Sequence, residues 1–86
     1  MKSKATIKFW KNYDKLPLEL QLRAKKIYEL WKKNPYQTSL HFKKVDEENI
    51  YSVRVNDDYR VLGVLIEDTM IWYWIGKHEE YERLLK

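Results

Sequence analysis

The chain has 86 residues and no cysteine, which excludes disulfide bonds and cysteine-based zinc sites. Its longest apolar run, residues 70–75, is far shorter than the roughly 20 residues that a membrane span needs. The basic start, Met1 to Lys4, is not followed by the apolar segment of a signal peptide. We therefore expect one domain over residues 1–86, in the cytoplasm and with no membrane partner.

Positive charge is concentrated in the first half of the chain. Residues 1–44 carry 12 Lys and Arg against 3 Asp and Glu, whereas residues 45–86 carry 5 against 10. A surface this basic can attract a polyanion through counterion release. Each lysine taken singly is also typical of a solvated helix face. The asymmetry as a whole indicates an acidic partner, which could be nucleic acid or protein.

Two helices are predicted before residue 35. Apolar side chains recur at helical spacing in the longer one: Leu20, Ala24, Ile27 and Trp31. Pro17 suits the first turn of this helix, and Pro35 ends it because the residue before a proline is pushed out of the helical conformation. Upstream, residues 9–16 have the pattern of a shorter amphipathic helix, although residues 5–10 could instead form an edge strand.

After Pro35 the apolar pattern changes to a period of two, which predicts β-strands. Four strands are expected: residues 39–45, 50–55, 59–66 and 70–75. In the first strand, Leu40 and Phe42 face one side of the sheet. His41 and Lys43 face the other side. Short acidic segments between the strands predict hairpin loops, so the strands form an antiparallel meander.

Aromatic residues crowd the last strand. A period of two places Trp72 and Trp74 on one face, and a tryptophan packed over Gly63 of the neighbouring strand would explain that glycine. Residues 77–86 then predict a short helix with three apolar residues on one side: Tyr81, Leu84 and Leu85. The elements together predict an α+β fold with two N-terminal helices packed on a four-stranded antiparallel sheet and a short C-terminal helix.

Two arginines interrupt the apolar pattern of the central strands. Arg54 lies near the end of the second strand, and Arg60 lies at the start of the third. A three-residue loop over residues 56–58 would place them opposite each other on one face, whereas a two-residue loop would place them on opposite faces. The longer loop is favoured because it gathers three valines on the core side: Val53, Val55 and Val61.

Facing arginines repel each other unless an anion lies between them. Phosphate suits this position because a guanidinium group binds it in a bidentate manner and stays charged. The alternative is that each arginine pairs with a carboxylate from a nearby loop: Asp57, Asp58 or Glu48. The arginine pair is therefore a candidate phosphate site.

A second polar cluster follows the last strand. Histidine is the residue type best suited to transferring a proton at neutral pH, which makes His78 a candidate, and Tyr81 comes three residues later. The alternative is that His78 caps the last helix and Tyr81 packs on the sheet. The sequence has no Gly-rich phosphate loop, no serine-nucleophile motif and no metal-ligand set, so we expect acid–base chemistry with no cofactor and no metal.

Several motifs occur in a fixed order along the chain: Phe9-Trp10 with Tyr13, Leu16 and Pro17; Asn34-Pro35 to Lys43; Tyr51 to Val55; Tyr59-Arg60; and Trp74 to His78 followed by Tyr81. This ordered set resembles the RelE/ParE toxin superfamily, and most closely its short HigB/RelE-like members. The resemblance implies a type II toxin–antitoxin component in which helices cover one side of a twisted antiparallel sheet. It also implies metal-independent cleavage of mRNA, usually on the ribosome, and neutralisation by a cognate antitoxin protein.

The resemblance implies a catalytic role for four residues: Arg54, Arg60, His78 and Tyr81. RNA binding is expected of three more: His41, Lys43 and Lys77. For His41 and Lys43 the alternative is a plain solvent-facing position. The chain departs from the family pattern where a strand lysine is expected, because Ser52 stands there, and Tyr81 matches only approximately because its spacing is shorter.

Two other function classes compete with the ribonuclease. The ParE branch shares the fold and poisons DNA gyrase, which predicts DNA damage and indifference to loss of His78. A non-catalytic module that binds RNA or an acidic protein predicts that lysines of the longer helix matter more than Arg60: Lys25, Lys26, Lys32 and Lys33.

Overall fold

A mixed five-stranded sheet organises the fold, and the computed structural model describes residues 1–84. The elements in chain order are β1 (Lys2–Ala5), α1 (Ile7–Asp14), α2 (Leu18–Lys33), a 3-10 turn (Thr38–Leu40), β2 (Lys43–Asp46), β3 (Ile50–Arg54), β4 (Tyr59–Ile66), β5 (Thr69–Lys77) and α3 (His78–Leu84). The strand order is β1-β5-β4-β3-β2, and all neighbours are antiparallel except β1 and β5. The predicted α+β class is confirmed.

The sheet has five strands where the sequence predicted four. The additional strand, β1, pairs in parallel with β5 at one edge. Its inward residues, Ser3 and Ala5, are small, and lysines occupy the alternate exposed positions. A short strand without β-branched residues has a weak sequence signal, and lysines protect the exposed edge from pairing with other chains.

The two N-terminal helices begin and end where local chemistry requires. The Thr6 hydroxyl accepts a hydrogen bond from the Phe9 amide and caps α1, so this segment is a helix that follows the strand β1. Pro17 is the N-cap of α2, immediately before the helix instead of within its first turn. Asn34 is extended before Pro35 and ends α2 as predicted. Neither these helices nor α3 is long and apolar enough to cross a membrane.

The strand predicted over residues 39–45 is wrong for its first four residues. A 3-10 turn occupies Thr38–Leu40, and His41 has a left-handed backbone with φ of 46°. The turn buries Leu40 completely, and Phe42 also packs against the core, so both apolar residues reach the interior without a strand. Polar turn-forming side chains at Thr38 and Ser39 favour this local structure over an extended one.

The helices α1 and α2 cover one face of the sheet, which we call the helix face. The core there includes Phe9 and Tyr13 from α1, and Ile27 and Trp31 from α2. The sheet contributes six buried residues to it: Val53, Val55, Val61, Met70, Trp72 and Ile75. The predicted grouping of the three valines on the core side is therefore confirmed, which fixes the register of β3 against β4.

The opposite face carries α3, and we call it the α3 face. Leu62, Trp74 and Tyr81 form a separate buried cluster on this side. The predicted helix over residues 77–86 begins at His78, because Lys77 still belongs to β5. Leu84 and Leu85 were also predicted on the apolar side of this helix. The Leu84 side chain and the whole of Leu85 lie outside what the structure describes.

Trp72 and Trp74 do not share a face, contrary to the prediction from a period of two. Leu62 pairs with Trp74 and the next residue, Gly63, pairs with Trp72, so Tyr73 is an extra residue in β5. Such a β-bulge shifts the alternation by one residue. Trp72 therefore packs on the helix face and Trp74 on the α3 face.

Gly63 lies directly under Trp72, as predicted. We expect Gly63→Ala to lower the free energy of unfolding by about 1–3 kcal/mol, because overpacking a tight core costs this much. A Cβ atom there would lie 2.5 Å from Trp72 Cε3 and 2.9 Å from Met70 Sδ, in a region with no room to relax. Equilibrium denaturation measures the change. Ile66→Ala, at the exposed end of the same strand, is the control and should change stability by less than about 0.5 kcal/mol.

Candidate functional site

Arg54 and Arg60 are direct partners across the β3–β4 pair. Residues 56–58 form the three-residue connection, closed by a 3.0 Å hydrogen bond from the Val55 amide to the Tyr59 carbonyl. Because both arginines alternate with valines of the helix-face core, they project from the α3 face. The prediction that the two arginines face each other across the strand pair is therefore confirmed.

The loop between the two strands supplies partners for both arginines. Arg54 Nη2 donates to the Asp57 carboxylate. Arg60 Nη1 donates to main-chain carbonyl oxygens, at 2.6 Å to Asn56, 3.0 Å to Tyr59 and 3.3 Å to Asp57. The carboxylate alternative foreseen from the sequence thus applies to Arg54 alone, while Arg60 is held by neutral groups.

The two arginines also influence each other electrostatically. Partial burial lowers the pKa of the Arg60 guanidinium, and the positive charge of Arg54 lowers it further. Tyr81 and Asp58 act in the opposite direction and raise it. Arg60 stays protonated at neutral pH, as arginines do in proteins. Its positive charge is less well solvated than that of an exposed arginine, and this favours binding of an anion.

Asn56 shapes the loop. Its Oδ1 accepts hydrogen bonds from the amides of Asp58 and Tyr59, each at 2.9 Å. This side-chain bonding replaces main-chain partners that a turn leaves unpaired. The Asp58 carbonyl then accepts a 2.7 Å hydrogen bond from the His78 amide, which ties the loop to the start of α3. One loop therefore positions the residues of both predicted clusters.

His78 lies between a carboxylate and an aromatic ring. Its Nε2 is 3.5 Å from Glu82 Oε1, one helical turn along α3. On its other side the ring centroid is 4.9 Å from that of Tyr81. The His78 side chain remains 38% exposed, so the imidazole is oriented by neighbours and still reachable by a ligand.

Tyr81 is only 8% exposed and belongs to the buried cluster with Leu62 and Trp74. Its ring therefore offers little accessible face for stacking on a base, and the catalytic role predicted for it stays a prediction. Tyr81 lies beside His78 and raises the pKa of Arg60, so we interpret it as a residue that helps to position these two side chains.

Lys43 joins the arginines on the α3 face. It pairs with Ser52, Ser52 pairs with Leu62, and Leu62 pairs with Trp74, which forms one row across the sheet. Direct partners in a sheet share a face, so Lys43 projects on the same side as Trp74. Ser52 precedes Arg54 by two residues, so this row lies about 6.6 Å from the arginine row.

Lys77 and His41 are not brought to the arginine pair. Lys77 pairs with Tyr59, which packs toward the helix-face core, so Lys77 projects from the helix face, away from the arginines, and is exposed. His41 precedes β2 in a left-handed conformation and is exposed. The predicted alternation of His41 with Lys43 fails because the strand starts at Lys43.

An open cleft of about 500 Å³ adjoins the loop and α3. Its lining residues come from the loop, from the end of β5 and from α3: Asp57, Asp58, Tyr59, Lys77, His78, Glu79 and Glu82. Over residues 1–84, no group of three or more His, Asp or Glu side chains is placed to hold a metal ion. The cleft therefore presents a histidine among carboxylates next to the loop that carries Asp57, while Arg54 and Arg60 do not line it.

The organising role of Asn56 was missed in the sequence, where it was assigned only to an acidic loop. The signal was present, because an asparagine at the first position of a short loop commonly bonds to amides two and three residues on. The pairing of Lys43 with Ser52 could not be foreseen, since it depends on where β2 begins.

Solved structures with this fold are toxins. The chain superposes with a TM-score of 0.74 on the RelB-RelE antitoxin–toxin complex from Methanococcus jannaschii, at 20% identity, covering 95% of this chain and 98% of that one. YafQ from E. coli strain BL21(DE3) gives a TM-score of 0.74 at 12% identity, covering 92% and 94%. A YoeB/ParE toxin from Agrobacterium tumefaciens gives 0.72 at 13% identity, covering 91% and 99%.

No curated protein matches the chain in sequence. The model of one family does match, over residues 18–83, and its description is the ParE-like toxin domain. This range includes α2, the strands β2 to β5 and most of α3, and with them Arg54, Arg60 and His78. The match covers well over half of the chain and agrees with the fold, so the chain belongs to the ParE-like toxin domain family of the RelE/ParE superfamily.

Proposed function

We propose that this protein is the toxin of a type II toxin–antitoxin system and a metal-independent endoribonuclease that cleaves mRNA in the cytoplasm, on the ribosome. The observation that carries the proposal is the pairing of Arg54 with Arg60 on the α3 face, with His78 tied to the loop between them. Two guanidinium groups can stabilise the charge that develops on the phosphate during phosphodiester cleavage, and an imidazole can transfer the proton.

The reaction begins when a ribose 2′-oxygen attacks the adjacent phosphorus. The bond from phosphorus to the 5′-oxygen breaks, which leaves a 2′,3′-cyclic phosphate and a 5′-hydroxyl. Negative charge grows on the phosphorane oxygens, and Arg60 with Arg54 stabilises it. Arg60 is already positioned by three carbonyl oxygens that hold Nη1, so the rest of its fork can meet the phosphate.

His78 donates the proton that the leaving 5′-oxygen needs. Its exposure allows contact with RNA, while Glu82 and Tyr81 fix the orientation of the imidazole. The proton of the 2′-hydroxyl has three candidate acceptors in this chain, His41, Glu79 and Tyr81, and ribosomal RNA is a further candidate. Glu79 is favoured because it lines the same cleft as His78, whereas Tyr81 is buried and His41 precedes another strand.

The proposed partners are mRNA, the ribosome and a cognate antitoxin. The antitoxin proposal is supported by structural neighbours that are described as RelB-RelE complexes, from Methanococcus jannaschii, Pyrococcus horikoshii OT3 and E. coli. An antitoxin that covered the α3 face would neutralise the protein by blocking access to Arg54 and Arg60.

A second candidate function is inhibition of DNA gyrase. The matching family is described as a ParE-like toxin domain. The resemblance of this chain to the ParE branch implies gyrase as the alternative target. This function does not need a proton-transferring residue, so growth arrest would persist without His78 and would come with a DNA damage response. The ribonuclease is preferred because the His78 main chain is bonded to the loop that joins two arginines facing each other.

We expect Arg60→Ala to abolish growth arrest and to remove the new mRNA 5′ ends that the wild-type protein produces in a bacterial host. Loss of one donor to a charged transition state typically lowers the rate about 10²- to 10³-fold. Arg83→Ala is the control, because Arg83 is an exposed arginine in the last turn of α3. If Arg60→Ala cleaves mRNA as the control does, the proposed chemistry is wrong.

We expect His78→Gln to lower the single-turnover cleavage rate about 10²- to 10⁴-fold, while RNA affinity changes little, because the proton donor is lost and the cationic groups remain. Glu82→Gln keeps the imidazole and removes only its carboxylate neighbour, so its effect should be much smaller. Arrest of growth by His78→Gln without mRNA cleavage would favour the gyrase alternative.

We expect Lys43→Ala to weaken RNA binding and to reduce the slope of log Kd against log salt by about one, as for loss of one phosphate contact. Lys44→Ala is the matched control, because Lys44 is the next residue in β2 and pairs with Tyr51, whose ring packs toward the helix face. Equal slopes for the two variants would exclude a phosphate contact at Lys43. Fluorescence anisotropy over a salt series measures both.

A further inference from the structure

The loop between β3 and β4 contains a carboxylate that occupies part of the arginine site. Asp57 pairs with Arg54 although its own side chain is 86% exposed. The next residue, Asp58, is also exposed and forms no ion pair with Arg54 in the part of the chain that the structure describes. Asp57 therefore places a negative charge at one of the two guanidinium groups.

The charges at the site do not balance. Two arginines face each other, one carboxylate pairs with Arg54, and Arg60 bonds to neutral carbonyl groups. A phosphodiester can accept hydrogen bonds from both guanidinium groups at once, whereas the Asp57 carboxylate bonds to one of them. A phosphate bound across both arginines would thus relieve the repulsion that Asp57 relieves only in part.

Asp57 can leave Arg54 without unfolding the loop. Asn56 holds the amides of Asp58 and Tyr59, and the Asp58 carbonyl is bonded to the His78 amide, so the main chain of the loop is anchored on both sides of Asp57. An exposed side chain changes rotamer quickly, within picoseconds to nanoseconds. Release of Arg54 therefore requires a rotation of Asp57 and no rearrangement of Arg60 or His78.

We propose that Asp57 determines the affinity of this site, as an internal anion that competes with an RNA phosphate for Arg54. The proposal rests on the proposed function, since it takes the RNA phosphate as the ligand of the arginine pair. An exposed ion pair is weak, so the competition is modest and reversible. Asp57 thus reduces the occupation of the site by loosely bound anions and leaves it open to a phosphate that engages both arginines.

The first experiment compares Asp57→Asn with Asp58→Asn. Both substitutions remove one negative charge from the same exposed loop. Asp58 acts on Arg60 through space and forms no ion pair with Arg54, so the difference between the variants reports the direct pair of Asp57 with Arg54. The probe is a fluorescent single-stranded RNA with 2′-O-methyl riboses, which binds and cannot be cleaved. We expect Asp57→Asn to bind it about 1.4- to 5-fold more tightly than Asp58→Asn at the same ionic strength, the range set by an exposed ion pair.

A double-mutant cycle tests whether Asp57 acts through Arg54. In an Arg54→Ala background, Asp57→Asn and Asp58→Asn should give the same affinity, because the competitor has lost its partner. A persistent difference would overturn the proposal, as would equal affinities in the wild-type background. Circular dichroism and thermal unfolding of each variant confirm that it is folded before its affinity is compared.

The same measurement separates this inference from the proposed function. If Arg54→Ala and Arg60→Ala weaken RNA binding while Asp57→Asn equals Asp58→Asn, the arginine site is correct and the role of Asp57 is wrong. If RNA binds equally well to the wild type, Arg54→Ala and Arg60→Ala, both proposals fail. Tighter binding confined to Asp57→Asn, and lost without Arg54, supports both.

Discussion

The register of the β3–β4 hairpin is the constraint on which both the core and the candidate site depend. The loop over residues 56–58 fixes this register, through the Val55–Tyr59 main-chain bond and the turn that Asn56 holds. Side chains alternate with a period of two, so a slip of one residue in one strand would move its valines out of the helix-face core and turn its arginine toward the helices. The burial of the valines and the facing arrangement of the two arginines therefore depend on the same register. Hydrophobic packing of the valines stabilises a contact between like charges that would not persist alone.

The β-bulge in β5 gives the two faces of the sheet different characters. By adding Tyr73, the strand places Trp72 in the core beneath α1 and α2 and Trp74 in the smaller cluster beneath α3. Glycines allow these large rings to lie flat on the sheet, Gly63 under Trp72 and Gly76 beside Trp74. The helix face is covered by 24 helical residues, whereas a seven-residue helix covers the α3 face. A face covered so sparingly leaves Arg54 only partly buried and accessible to a ligand.

The sequence predicted the elements whose patterns are long and regular, and failed where short-range geometry decides. The helix from residue 18, three of the strands and the opposition of Arg54 and Arg60 follow from periodicity and from one choice of loop length. The strand β1 was missed because four residues without β-branched side chains leave little pattern. The turn before Lys43 and the bulge at Tyr73 each break the period of two. Thr38 and Ser39 are a weak signal of the turn, whereas a single sequence gives no signal of the bulge. The roles of His78 and Tyr81 could be suspected from residue type, but the burial of Tyr81 depends on which face α3 covers.

The distribution of charge sets the terms on which an RNA could bind. Apart from Arg23, whose Nε donates to the Val55 carbonyl at 3.1 Å, the basic residues of α1 and α2 lie on the helix side of the sheet, across from Arg54 and Arg60. Packed layers are about 10 Å apart, which exceeds the Debye length of about 8 Å at physiological salt. Four carboxylates line the cleft between the loop and α3: Asp57, Asp58, Glu79 and Glu82. The helices can therefore raise the local concentration of RNA, but they contribute little at the site itself, where nearby carboxylates repel an anion that is loosely placed. Binding at the proposed site must then come from short-range contacts to two guanidinium groups. Only a phosphate in the correct position can make both contacts. The proposed chemistry therefore favours a bound geometry in which the reacting phosphorus is already within reach of His78.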